Sequence, residues 1–220
     1  RNLRGYEPKG HSTIYHGCMK PLVCYQDTTD KYNDIGRSVV LIIINGENAC
    51  SGTLINNTLN DGKPYLLTAS HCLNNQFTIT NPDYETIAGN IVTFFNYESP
   101  LCDPVMRGTE EMSMASTRFR ATNESTDMAL LELKETPPAY YQPYYAGWNA
   151  KDEGTAPYAG IHHPGGSVKR VNTTKQVESA TYPGMDFIKN GHWHVKEWTS
   201  GSTAGGSSGS GLFDSNNQLI

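Results

Sequence analysis

The spacing of the apolar runs constrains this chain most. Strand-like segments at 38–45, 49–55, 64–69, 90–97, 116–121 and 128–133 follow one another at short intervals. Turn signals separate them: Asn45-Gly46, Asn60-Asp61-Gly62 and Asn81-Pro82-Asp83. Thr117-Arg118-Phe119-Arg120-Ala121 alternates as a half-buried strand does. Pro137-Pro138 reads as a linker, and a second series begins near Tyr144, with segments at 157–162, 167–171, 192–198 and 211–213. No segment longer than about ten residues carries a helical period. The chain therefore reads as all-β. Its 220 residues allow one large β domain or two small barrels sharing a cleft. Residues 1–35 read as an irregular arm, 36–136 as a first barrel and 137–220 as a second.

Composition narrows the class. Only 18% of residues are charged, and Gly (21), Pro (12) and Tyr (13) are abundant, which suits turn-rich secreted proteins. A net charge of -5 with no basic block speaks against nucleic-acid binding. The longest aliphatic run, Val39-Val40-Leu41-Ile42-Ile43-Ile44, is too short to span a bilayer. Arg1-Asn2-Leu3-Arg4 has no apolar signal segment, so an exported protein would already have lost its signal and any propeptide. Cys18, Cys24, Cys50, Cys72 and Cys102 lack zinc spacing and read as disulfide formers, with one left over. Cys50 and Cys72 flank the segment leading to His71 and are expected to pair, contributing roughly 3 kcal/mol. Arithmetic does not pair the other three. The ending, Leu212-Phe213, a turn at 214–217, then Gln218-Leu219-Ile220, reads as a hairpin cut short, whose completion calls for a further C-terminal segment or a second chain.

Three separated motifs carry the chemistry. A serine hydroxyl is a weak nucleophile and needs a base, a group that orients the base, and donors aimed at the developing oxyanion. Ser208, in Gly205-Gly206-Ser207-Ser208-Gly209-Ser210-Gly211, reads as the nucleophile, with the N–H groups of Gly206 and Ser208 as an oxyanion hole. The plain alternative is a flexible linker, since 200–211 is almost all Gly, Ser, Thr and Ala. A linker does not run straight into Leu212-Phe213, which favours the functional loop. His71 follows Tyr65-Leu66-Leu67-Thr68-Ala69 and precedes Cys72, so a disulfide would anchor it as the base; the alternative is a surface histidine at a strand end. Asp127 opens Met128-Ala129-Leu130-Leu131-Glu132-Leu133 and reads as the orienting carboxylate, against the commoner role of a turn or cap aspartate. The order His71, Asp127, Ser208 is that of one known triad arrangement.

These motifs resemble the chymotrypsin-like serine proteases, and more narrowly the bacterial lysyl endopeptidases. The narrower resemblance is carried by Cys18-Met19-Lys20-Pro21-Leu22-Val23-Cys24, by Cys50-Ser51-Gly52-Thr53-Leu54-Ile55-Asn56-Asn57-Thr58, by Ala146-Gly147-Trp148, Ile161-His162-His163-Pro164 and Lys169-Arg170, and by the Ser208 loop, over residues 17–220. It implies two six-stranded antiparallel β-barrels, the second incomplete here and lacking its last strands and final helix. It implies disulfides Cys50–Cys72 and Cys24–Cys102, with Cys18 paired beyond Ile220. It also implies a secreted endopeptidase made as a zymogen, acting on polypeptides, with a Lys preference at the cleaved bond and no cofactor or metal. A glutamyl preference, or a catalytically silent binding module, is the competing expectation. Two departures stand out. Ser207 occupies the place where animal trypsins carry an aspartate that binds a new N-terminus, and Gly211 the place of a usual proline. The arm at 1–16 extends beyond the family's usual start.

Other features of the sequence admit two readings. His162-His163 and His192-Trp193-His194 invite a metal, but no third ligand is spaced for it. Tyr140, Tyr141, Tyr144, Tyr145 and Trp148 read as packing between the barrels rather than a glycan or peptide site. Asn56, Asn123 and Asn172 head glycosylation sequons, relevant only in a eukaryotic secretory route.

Overall fold

A computed structural model describes residues 19–26, 32–103, 107–183 and 186–220. The expectations for 1–16 and for Cys18 fall outside these residues. In chain order the elements are β1 (Lys20–Pro21), α1 (Val23–Gln26), α2 (Asn33–Ser38), β2 (Val39–Ile44), β3 (Asn48–Ile55), β4 (Tyr65–Ala69), α3 (Ser70–Leu73), α4 (Tyr84–Gly89), β5 (Ile91–Phe94), β6 (Ser113–Ala115), β7 (Thr117–Asn123), β8 (Met128–Leu133), β9 (Tyr158–His162), β10 (Arg170–Thr174), β11 (Glu178–Ala180), β12 (His192–His194) and β13 (Leu212–Phe213).

The first sheet runs β6-β5-β2-β3-β4-β8-β7, every pairing antiparallel. Its two outer strands are separated only by Ser116, which takes a left-handed φ of 70° and donates its N–H to Ile91 O at 2.7 Å. β6 and β7 are thus one bent strand that pairs with β5 at one end and β8 at the other. That closes a six-stranded barrel of the chymotrypsin type. A register shift between Phe119 and Ala121 adds the curvature closure needs.

The run in β2 is continuous because both of its faces are buried. Successive side chains point to opposite sides. Val40, Ile42 and Ile44 enter the barrel core with Leu54, Leu66, Phe95, Leu131 and Leu133. Val39 faces the other way, onto Ile161, Val171 and Phe213 of the second half, and Leu41 and Ile43 pack with Phe94, Tyr97 and Val168. One strand therefore supplies both the core of the first barrel and the apolar seam that fixes the second half against it.

The second sheet runs β1-β10-β9-β13, with β11 and β12 as a separate antiparallel ribbon. Among the described residues this half does not close. β1 comes from the stretch read as an irregular arm: Lys20 and Pro21 pair with Val171 and Arg170. Two residues form no pattern, and this pairing is made by tertiary contact alone. The hairpin expected near the chain end is formed, with Asp214 N–H donating to Gln218 O at 2.9 Å and Ile220 N–H to Leu212 O at 3.0 Å. Disulfides join Cys50 to Cys72 and Cys24 to Cys102.

The aromatic group expected to pack between the barrels divides. Tyr141 is buried against Phe95, and Tyr145 packs on the first core, but Tyr140 and Trp148 are exposed. The Trp148 indole N–H donates to Asn56 O at 2.9 Å, so its polar edge is held at the surface. At Gly211 the end of the Leu219 side chain lies 2.5 Å from where a Cβ would stand.

Candidate active site

His71 sits in α3, a single turn that begins as β4 ends. The next residue, Cys72, is bonded to Cys50 on β3, so the imidazole stands between a strand end and a covalent link. The β4–β8 register pairs Ala69 with Met128, which brings Ser70 and Asp127 together at the sheet end. Ser70 N–H donates to Asp127 O at 3.1 Å. Asp127 adopts φ 52°, ψ 39°, a left-handed conformation that aspartate tolerates better than most residues. That turn aims its carboxylate back at His71. Oδ1 accepts the His71 backbone N–H at 2.9 Å, and Oδ2 lies 2.6 Å from Nδ1. Two bonds from one carboxylate fix the ring. Because a carboxylate only accepts, Nδ1 carries the hydrogen, and in the neutral ring Nε2 presents its lone pair.

The Ser208 loop reaches this edge from the second half. Gly209, at φ 79°, passes so close to the first barrel that a Cβ would fall 2.1 Å from Thr68 Oγ1 and 2.8 Å from Ala69 N. Only glycine fits there, and Ala69 lies two residues before His71. Ser51 of β3 underpins the loop. Its N–H donates to Ser208 O at 2.8 Å and its Oγ to Gly206 O at 2.9 Å. The same hydroxyl accepts from His163 N–H at 2.9 Å. Gly206, at φ 91°, passes His163 O with room for no side chain; a Cβ would lie 2.7 Å from that oxygen. Among the described residues, no hydrogen bond is donated by the N–H groups of Gly206 or Ser208.

The paired histidines at the end of β9 serve the frame of this loop. His162 Nδ1 lies 2.7 Å from Ser207 Oγ, and burial with the facing Arg170 pushes its pKa down to about 4. His163 donates from Nδ1 to Ser167 O at 2.9 Å, and burial with nearby Lys169 holds it well below the usual histidine range. Both rings are neutral at physiological pH, each with a different partner. An aromatic series also crosses between the halves. His71 meets Phe77 edge-on at 6.2 Å, Phe77 meets Phe187 at 6.4 Å, and Phe187 meets His192 at 4.9 Å. Ile188 N–H donates to Ser125 O at 2.9 Å, tying the β11–β12 loop to the turn that carries Asp127.

The structure thus pairs His71 with Asp127 and seats the Ser208 loop against the strand that leads to His71. The sequence assigns no role to Phe77 or Phe187, carries Ser51 only as part of a family motif, and offers His162 as a metal ligand rather than as a partner of Ser207. Ser51 acts through contacts made across more than a hundred residues of chain and His162 through one made across 45, and no local pattern marks either role.

Comparison with known proteins bears on the family and the fold. The chain is 27% identical over 207 residues to a lysyl endopeptidase of Pseudomonas aeruginosa, covering 89% of this chain and 41% of the relative, so it spans about two-fifths of that protein's length. Among solved structures, the Rv3671c protease of Mycobacterium tuberculosis superposes with TM-scores of 0.54 in its inactive form and 0.53 in its active form, at 15% and 14% identity. Those matches cover 89% of this chain and 81% and 73% of the other chains. Deg5 superposes with a TM-score of 0.52 at 15% identity over 87% of this chain and 80% of that one. At such identities these structures speak to the fold alone. The model of the lysyl endopeptidase C-terminal domain matches residues 16–220, and the chain belongs to that family.

Proposed function

We propose that this chain is the catalytic domain of a secreted serine endopeptidase, with Ser208 as nucleophile, His71 as general base and acid, and Asp127 as the orienting group. The observation that carries the reading is the doubly bonded His71–Asp127 pair beside a glycine-rich loop packed on Thr68 and Ala69. Ser208 Oγ attacks the scissile carbonyl while Nε2 of His71 takes its proton. The tetrahedral oxyanion accepts from the N–H groups of Gly206 and Ser208. The C–N bond then breaks as His71 gives its proton to the leaving amine, which leaves an ester on Ser208. Water, deprotonated by His71, cleaves that ester and restores the serine. Asp127 keeps the hydrogen on Nδ1 and stabilises the imidazolium without itself taking the proton.

Family membership and the Pseudomonas relative support cleavage after Lys. Two disulfides support an oxidising, extracellular compartment. Among the described residues no helix is long and apolar enough to cross a membrane. Peptide amides differing only in Lys, Arg, Glu or Phe before the cleaved bond test substrate choice on the full-length protein. The Lys reporter is expected to give the highest kcat/KM. A Glu preference would overturn the lysyl reading, and no turnover of any reporter would overturn the protease reading.

A further inference from the structure

Ser207, the residue before the nucleophile, is only 7% exposed and is held from two sides. Its Oγ accepts from Ala204 N–H at 3.1 Å and lies 2.7 Å from Nδ1 of His162, itself 1% exposed. The Ser207 hydroxyl hydrogen has no other acceptor among the described residues and is directed to Nδ1. The His162 ring is then neutral with its proton on Nε2, a buried atom with no hydrogen-bond partner among the described residues. His162 stands on β9, paired to Arg170 of β10, so the bond links a central strand to the loop that carries Ser208.

The loop's geometry shows what this link controls. The Gly206 N–H shares a peptide with Gly205 C=O, which accepts from Gly165 N–H at 2.5 Å. The Ser208 N–H shares a peptide with Ser207 C=O, which accepts from Ser210 N–H at 3.1 Å. In a trans peptide the N–H points opposite to the carbonyl. Those two carbonyl bonds aim the two N–H groups, and Ser207 provides the Cα at the head of the second plane. We propose that Ser207 and His162 are positioning residues. Their buried, neutral hydrogen bond sets the oxyanion donors, in the place where the animal trypsins use an aspartate paired to a new N-terminus. The inference rests on Ser208 being the nucleophile.

The test is the rate at which a small fluorophosphonate labels Ser208 in the full-length protein, together with kcat and KM on a peptide amide. Ser207→Ala is expected to slow labelling and kcat about ten- to a hundredfold, as a misplaced donor does, with KM within about twofold. Ser207→Thr keeps the hydroxyl and should recover most of the rate. His162→Asn keeps an acceptor near the place of Nδ1 and should stay close to wild type, whereas His162→Leu should match Ser207→Ala. The double variant Ser207→Ala/His162→Leu should be no slower than its slower parent, because one bond is removed twice. Wild-type labelling by Ser207→Ala, or losses that multiply in the double variant, would overturn the proposal. Wild-type protein that takes no label at Ser208 would instead overturn the nucleophile assignment beneath it.

Discussion

The two halves of this molecule hold their functional residues by different physics. The first barrel is closed and aliphatic, with Val40, Ile42, Leu54, Leu66 and Leu131 all fully buried. His71 and Asp127 stand at its rim, braced by strand register and by the Cys50–Cys72 bond. The second half buries Lys169, Arg170, His162, His163 and Asn172, and His162 reaches the Ser208 loop through Ser207 Oγ. Lys169 Nζ, with no exposed surface, donates to Gly36 O and to Glu98 Oε1, both at 2.7 Å. The element carrying the base is thus held by apolar packing, strand register and a covalent tie, with the Asp127 carboxylate orienting the ring. The nucleophile loop is instead tied to its own half by directional hydrogen bonds. Apolar packing tolerates volume-conserving change, whereas a buried polar network fails when one partner is lost.

Substitutions should separate the two modes. The largest effect is expected at the rim of the first barrel: Asp127→Asn should lower kcat about 10⁴-fold by releasing the His71 tautomer, with little change in Tm. A matching loss in thermal stability would show that Asp127 is a structural cap instead. Next comes the apolar scaffold. Leu66→Ala should cost about 2–5 kcal/mol in denaturant unfolding, and loss of the Cys50–Cys72 bond about 3 kcal/mol, since it closes a loop with a sequence separation of 22. Insensitivity to either change would mean that the closed barrel is not what holds His71.

The polar half should betray itself in acid. In the folded protein His162 takes up its proton only near pH 4, against an ordinary 6.5, because burial and Arg170 oppose the charge. The unfolded chain binds that proton first, so stability should fall as pH drops from 6.5 to 4, by about 1.4 kcal/mol per pH unit, and be unaffected through this group above 6.5. His163 is displaced in the same direction and adds to the slope. His162→Asn should flatten the dependence by about one proton's share, and an unchanged slope would remove His162 from the account. The smallest effect is expected at Lys169→Met, at about 1–3 kcal/mol, which leaves the Gly36 carbonyl and the Glu98 carboxylate without their donor.

The same contrast governs how much was legible in the sequence. Periodicity and turn residues placed β2, β3, β4 and β8 nearly to the residue, because each lines one continuous core and writes it as apolar spacing. β1, β6 and β11 leave no such trace, being two or three residues long and held by their partners. The segment at 167–171 was read as a strand, but β10 begins at Arg170, since Lys169 turns inward to Gly36 and Glu98. At the site, His71, Asp127 and Ser208 each sit in a local motif that chemistry can interpret. Ser51 and His162 act through partners more than a hundred and more than forty residues away, and nothing in their neighbours announces it.

One measurement bears most directly on the claim that these halves meet in a working nucleophile. Full-length protein treated with a fluorophosphonate and digested should carry the adduct mass on the peptide containing Ser208, and on no other serine. Ser208→Ala should carry none, and His71→Ala should label at a rate lower by orders of magnitude. Label that persists in Ser208→Ala, or that lands at full rate without His71, would contradict it.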